Sequence, residues 1–191
     1  MGVTVMILIF GMFMVVGLIF FIINIYNSLL VVKENVNKAW ANIDVILKQR
    51  YDEIPQLIKI CEQYVQFEQG MVQKIMNARE KMIQGKTVKE KADASNAITA
   101  SVGGIMALGE SNPELKSNTN FMQIQNRLSG LEENLADRRE LYNDSVNILN
   151  TRIQQIPDVF FAGMLGMNRR EMFQVSEVER ALPNLDIKFK R

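Results

Sequence analysis

From Val3 to Ile23 the chain reads VTVMILIFGMFMVVGLIFFII, a run of large apolar residues with one threonine, two glycines and no charge. In helical geometry that run rises about 30 Å, the hydrocarbon thickness of a bilayer. No proline or turn signal follows, so one helix is expected to continue through Asn24-Ile25-Tyr26-Asn27 to near Arg50. In this second part apolar positions recur at Leu29, Val32, Val36, Ala39, Trp40, Ile43, Ile46 and Leu47. Steps of three and four place them on one face, with Lys33, Asn37, Lys38, Asn42 and Gln49 opposite. Trp40 lies roughly 25 Å beyond the span, too far for an interfacial aromatic belt, so it is assigned to the core and Tyr26 to the interface.

Asp52-Glu53-Ile54-Pro55 reads as a turn into a second helix, with aspartate as the cap and proline in the first turn. Its stripe runs through Ile54, Leu57, Ile58, Cys61, Tyr64, Val65, Met71, Val72, Ile75, Met76, Met82 and Ile83, with Gly85 as the stop. Thr87-Val88-Lys89-Glu90 fits a capping box, opening a third helix on Val88, Ala92, Ser95, Ile98, Val102, Ile105 and Leu108. Gly109 to Asn120, containing Pro113, reads as a loop. Phe121, Ile124, Leu128, Leu131 and Leu135 then form a coiled-coil-like seam. The next seam position is Arg138, and the pattern resumes at Tyr142, Val146, Leu149, Ile153 and Ile156 after a shift like that of a four-residue insertion. Pro157 ends this helix. DVFFAGMLGM (158–167) is expected to form one or two helical turns capped by Asp158.

The predicted fold is all-α: a single N-terminal transmembrane helix continuous with an antiparallel up-down four-helix bundle, plus a partly extended C-terminal tail. Residues 1–25 form the anchor, 26–167 the bundle and 168–191 the tail. The bundle helices span about 26–51, 53–84, 87–109 and 119–156, followed by the short apolar segment 158–167.

Competing readings of the N-terminus fit less well. Met1-Gly2-Val3-Thr4 lacks the basic start and small-residue cleavage site of a signal peptide. Met6 stands where lipidation of Gly2 would want Ser or Thr. Six turns of all-round hydrophobicity do not suit a core helix in so small a protein. Lys33, Lys38, Lys48 and Arg50 follow the span and no Lys or Arg precedes it. The expected location is therefore the cell membrane, single-pass, with the N-terminus outside and the bundle cytoplasmic.

Composition narrows the chemistry. Lys+Arg (22) and Asp+Glu (21) nearly cancel, leaving no electrostatic footprint for a nucleic acid. Histidine is absent, which removes the Glu-x-x-His ligands of a bundle di-metal site and the base for a nucleophilic Cys61. The single cysteine sits on an apolar stripe and reads as a buried small hydrophobe. No catalytic, cofactor-binding or metal-binding residue is assigned, no cofactor or small-molecule substrate is expected, and the protein is expected not to be an enzyme.

Tyr26-Asn27-Ser28-Leu29, Ala39-Trp40, Ile43-Asp44, Leu47-Lys48-Gln49-Arg50 and Ile54-Pro55-x-Leu57 together resemble the LemA family. The likeness continues at Tyr64, Glu68, Glu114-Leu115-Lys116, Phe121, Leu128, Glu132, Arg138-Arg139, Tyr142-Asn143, Val146, Asn150, Pro157, Phe173 and Pro183. Family members often carry histidine where Phe67 stands, so the resemblance supports no histidine-dependent role at that point. It implies a short external N-terminus, one membrane helix and an antiparallel helical bundle, and carries no established enzymatic activity. Some members resemble proteins associated with magnetosome membranes, which points toward membrane organisation.

Two placements follow from the pattern. Arg138, on a seam, either pairs with Asp44 or Glu68 or reaches solvent from the seam edge. The fourth helix, about 54 Å long, can return to the bilayer and deliver Val159, Phe160, Phe161, Met164 and Leu165 to its surface, with Arg169 and Arg170 near lipid phosphates. Closure of the core and packing on a neighbouring protomer are the alternatives for that segment. The expected function is a membrane-anchored structural or interaction protein that self-associates on the bilayer and organises or shapes membrane. The alternative is an accessory or sensory subunit of a membrane complex. The expected partners are the lipid bilayer, further copies of the chain in a homo-oligomer, and other membrane proteins.

Overall fold

The uncharged run and the amphipathic stretch after it form one helix, α1 (Gly2–Cys61), 60 residues long and so about 90 Å from end to end. The computed structural model describes residues 2–64 and 69–174 of the chain. Among the described residues five further helices follow: α2 (Gln69–Gln84), α3 (Val88–Ser111), α4 (Pro113–Lys116), α5 (Thr119–Arg152) and α6 (Asp158–Met164). Among the described residues there is no strand.

The expected turn at Asp52–Pro55 is absent, and α1 carries Pro55 in its interior. An interior proline removes a hydrogen bond and costs about 3 kcal/mol. The apolar stripe crosses it without a phase break, however, and Ile54, Leu57, Ile58 and Cys61 are all buried. Burying a large aliphatic side chain contributes about 1.5–3 kcal/mol, so three of them outweigh the proline. The predicted helix over 53–84 is accordingly divided. Its first part belongs to α1, the chain turns at 62–64, and α2 resumes at Gln69. Val65 and Glu68 lie outside the described residues. On α2 the buried face carries Ile75, Ala78 and Met82, whereas Met76 and Ile83 of the expected stripe are exposed.

The capping box at the start of α3 is formed: Glu90 N donates to Thr87 Oγ1 at 3.1 Å, and Thr87 N donates to Glu90 Oε2 at 3.1 Å. Gly85 N closes the end of α2 on Lys81 O at 2.8 Å. The expected loop from Gly109 holds more structure than its composition suggests. Here α3 runs on to Ser111, and Asn112 Oδ1 accepts from the backbone N–H groups of Glu114 (3.0 Å) and Leu115 (3.2 Å), capping α4. Leu115 is fully buried, which holds that turn against the core. Gly109 has a packing reason: a Cβ there would stand 2.9 Å from both Cε1 and Cε2 of Phe121.

Helix α5 stops at Arg152, four residues before the expected end. The residue before a proline disfavours helical backbone, and the chain tightens ahead of Pro157 into turns closed by Gln154 N to Thr151 O (3.1 Å) and Gln155 N to Arg152 O (3.1 Å). The tail from Asn168 is irregular as far as Gln174, and the remainder, including Pro183, lies outside the described residues.

The chain divides into two compact units. The first comprises Met1–Asn42 and Glu140–Arg170. Its core joins Ile25, Leu29 and Val36 of α1 with Tyr142, Val146 and Leu149 of α5. Trp40 is half-buried rather than a full core residue, with its ring tilted against Tyr142, centroids 5.4 Å apart. The second unit comprises Ile43–Arg139 and Glu171–Arg191. Ile43, Leu47, Ile54 and Leu57 of α1 are buried there with Ile75, Ile98, Ile105, Phe121 and Leu135 of α2, α3 and α5.

Candidate functional site

The first feature of note is a surface. Every residue from Gly2 to Asn24 is exposed, so the other described residues leave the apolar side chains of this run uncovered. By length and composition this is a helix that can cross a membrane, and none of its most apolar window is buried in the fold. A soluble core helix would show the opposite, since apolar side chains of this size are normally covered.

The first unit closes beside the end of that run. Arg152 makes three short bonds: Nε and Nη2 each to Asp158 Oδ2 at 2.6 Å, and Nη1 to Ser28 Oγ at 2.6 Å. Asp158 is therefore not the cap expected of it. Pro157 occupies the N-cap of α6 without a side-chain bond, and the Asp158 carboxylate is turned inward onto the guanidinium. A carboxylate buried there needs that charge-assisted pairing, which is among the stronger hydrogen bonds. Farther along, Asn150 holds the chain after α6 by both ends of its amide. Its Nδ2 donates to Arg170 O at 2.9 Å, and its Oδ1 accepts from Arg170 N at 2.8 Å. Arg169, Arg170 and Lys33 share one cleft of about 180 Å³. Of the apolar residues in this segment, Ala162 is buried, Phe161 and Leu165 are half-buried, and Ile156, Val159, Phe160 and Met164 are exposed.

Among the described residues of the second unit, Arg50 and Arg139 are buried. Arg50 Nη2 pairs with Glu132 Oε2 at 2.8 Å, and Thr99 Oγ1 donates to the other oxygen of that carboxylate at 3.4 Å. Arg139, 6% exposed, donates from Nη2 to Ser95 Oγ at 3.1 Å, and its guanidinium lies 4.7 Å from the centre of the Phe173 ring. That distance is within the range of a cation–π contact. The seam cation is thus Arg139, and Arg138 is exposed. Of the partners expected for Arg138, Asp44 pairs with Lys91, and Glu68 lies outside the described residues. The signal was present in the spacing: Leu131, Leu135, Arg139 and Tyr142 step by four, four and three, which is the phase shift of a four-residue insertion. A strict three-four count selects the residue one position too early. Cys61 is buried, and burial pushes its thiol up to about 11.

The sequence model of the LemA family matches residues 39–189. Among curated proteins, the chain is 22% identical to Magnetosome protein MamQ 2 and to Magnetosome protein MamQ 1 of Paramagnetospirillum magneticum. Each match covers 78% of this chain and 64% of the relative. The chain therefore spans less than two thirds of the length of the curated relatives it matches.

Proposed function

The chain belongs to the LemA family, and from that membership we propose that it is a membrane-anchored structural protein that self-associates on the bilayer and organises membrane, without catalysing a reaction. The observation that carries this proposal is the wholly exposed, uncharged run of α1, continuous in one helix with buried core positions from Ile25 to Cys61. Such a helix is both anchor and scaffold, because no Gly or Pro between residues 24 and 28 separates the two roles. Two of its relatives are named as magnetosome proteins, which supports a role in membrane organisation. The lysines after the span support a cytoplasmic location for everything beyond it.

The helices beyond the span form an antiparallel up-down bundle in this proposal. Arg50 and Glu53 of α1 meet Glu132 and Arg127 of α5, so numbers rise along one helix as they fall along the other. The short connection from Gln84 to Val88 favours the same arrangement for α2 and α3. Self-association is supported by apolar residues that stay exposed among the described residues. Leu141 and Ile148 are exposed seven residues apart on α5, nearly in line on one face, and Leu30 and Val31 are exposed on α1 of the same unit.

Oxidative cross-linking of an Ile148→Cys variant in native membranes tests the proposal. A disulfide-linked dimer is expected, with Cys61 taking no part because it is buried. Only monomer under oxidation, together with a cross-link to a different protein, would shift the role to that of an accessory subunit.

A further inference from the structure

We propose that the segment from Ile156 to Met164 docks into the headgroup–acyl boundary of the same bilayer that α1 crosses, a second membrane contact that rests on the anchor reading above. Its position comes from the first unit. Trp40 meets Tyr142 and Ser28 meets Arg152, so α5 approaches the membrane end of α1 as its residue numbers rise. Ser28 is five residues past Ile23, about 7.5 Å along the helix. Ile25, only two residues past Ile23, is already buried. Protein therefore covers α1 to within about 3 Å of the end of the uncharged run.

What stands at that level is large, apolar and bare. Ile156 is 81% exposed, Phe160 67% and Met164 86%. The one charge between Ile153 and Met164 is Asp158, and it is turned inward onto Arg152. The cations lie one layer farther out. Lys33, which shares a cleft with Arg169 and Arg170, is ten residues or about 15 Å past Ile23. Allowing about 6 Å for the headgroup layer, these charges sit within about one Debye length of the lipid surface. Apolar side chains at the acyl boundary with cations above them is the ordering that an anionic bilayer recognises. A second copy of the chain would need no such ordering along the membrane normal, so lipid is the occupant this arrangement favours.

The test uses the full chain in phosphatidylcholine vesicles with one quarter phosphatidylglycerol, carrying an environment-sensitive fluorophore on Met164→Cys. Labelling is selective because Cys61 is buried, with its thiol raised to about 11. Ile7→Cys within the span and exposed Asp144→Cys on α5 provide the two references. Nitroxide-bearing lipid is expected to quench the label at 164 about threefold or more relative to that at 144, with a blue shift. Quenching at 164 should weaken in Arg169→Gln/Arg170→Gln. Quenching at 7 but not at 164 would overturn the docking and leave the anchor standing. Absence of quenching at both would overturn the anchor, and the docking with it. A label at 164 shielded from water yet insensitive to nitroxide lipid would assign the surface to a neighbouring copy and overturn the lipid proposal.

Discussion

Replacing Gly109 by alanine sets helix propensity against packing, and the structure decides the sign. In the interior of a helix, Gly→Ala is worth about 1 kcal/mol in favour of alanine. At Gly109 the new carbon would stand 2.9 Å from Cε1 and Cε2 of Phe121, against a comfortable carbon–carbon separation of about 3.5–4.0 Å. Phe121 is 1% exposed, so the ring has no solvent to retreat into. Overpacking costs about 1–3 kcal/mol, and because Cζ of the ring stands closer still, Gly109 falls in the upper part of that range, about 2–3 kcal/mol. The clash wins, with a net loss of about 1–2 kcal/mol, which for a chain of this size lowers Tm by about 2–8 °C. Gly103 provides the control: no atom would lie within 4 Å of a Cβ there, so Gly103→Ala gains the propensity term, about 1 kcal/mol, and raises Tm. Far-UV circular dichroism melts of the full chain in detergent measure both. In a Phe121→Leu background the cost of Gly109→Ala should shrink by about 1 kcal/mol, the signature of two residues in contact. A Tm that rises in Gly109→Ala as it does in Gly103→Ala would refute the close packing of α3 on α5.

Three further outcomes follow from the second unit. Arg139→Ala, which empties a buried volume and takes the guanidinium from Ser95 Oγ and the Phe173 ring, should cost about 2–3 kcal/mol, whereas exposed Arg138→Ala should stay within about 0.5 kcal/mol in the same melts. Backbone N–H groups of Lys86 and Thr87 hold the Glu90 carboxyl below its ordinary value of 4.5. The stability this contributes is complete above pH 4.5 and is lost as pH falls through the lowered folded value. Glu90→Gln should therefore differ most from the parent near neutrality and converge with it in acid, in melts taken across that range. Cys61, buried and with its thiol raised to about 11, should resist a thiol reagent at pH 8 in the native protein and react stoichiometrically in denaturant.

Much of the fold was legible because the side chains that specify it are periodic and local. The span needed only length and the absence of charge, the start of α3 only Thr87 and Glu90, and the course of α5 only its seam. The misreadings came where a local signal met a tertiary one. Pro55 is a strong punctuation mark, but the burial of Ile54, Leu57 and Ile58 carries α1 past it. Asp158 looked like a cap by position, and a cation six residues earlier claimed it. Arg139 was hidden by a single extra step of four in the seam. The segment Ile156–Met164 was legible as apolar and as able to reach the bilayer surface, but the choice between that placement, closure of the core and a neighbouring protomer was not. That depends on Arg152 reaching Ser28, 124 positions away in the chain, a contact with no local signature.

In the proposed role the protein works as an assembly anchored in the bilayer. The most direct measurement is the protein mass, by light scattering, of the full chain excised from native membrane in polymer-bounded lipid discs. A self-associating anchor gives a mass of two or more copies of the 21.9 kDa chain. A disc population holding a single 21.9 kDa chain and no other copy would contradict it.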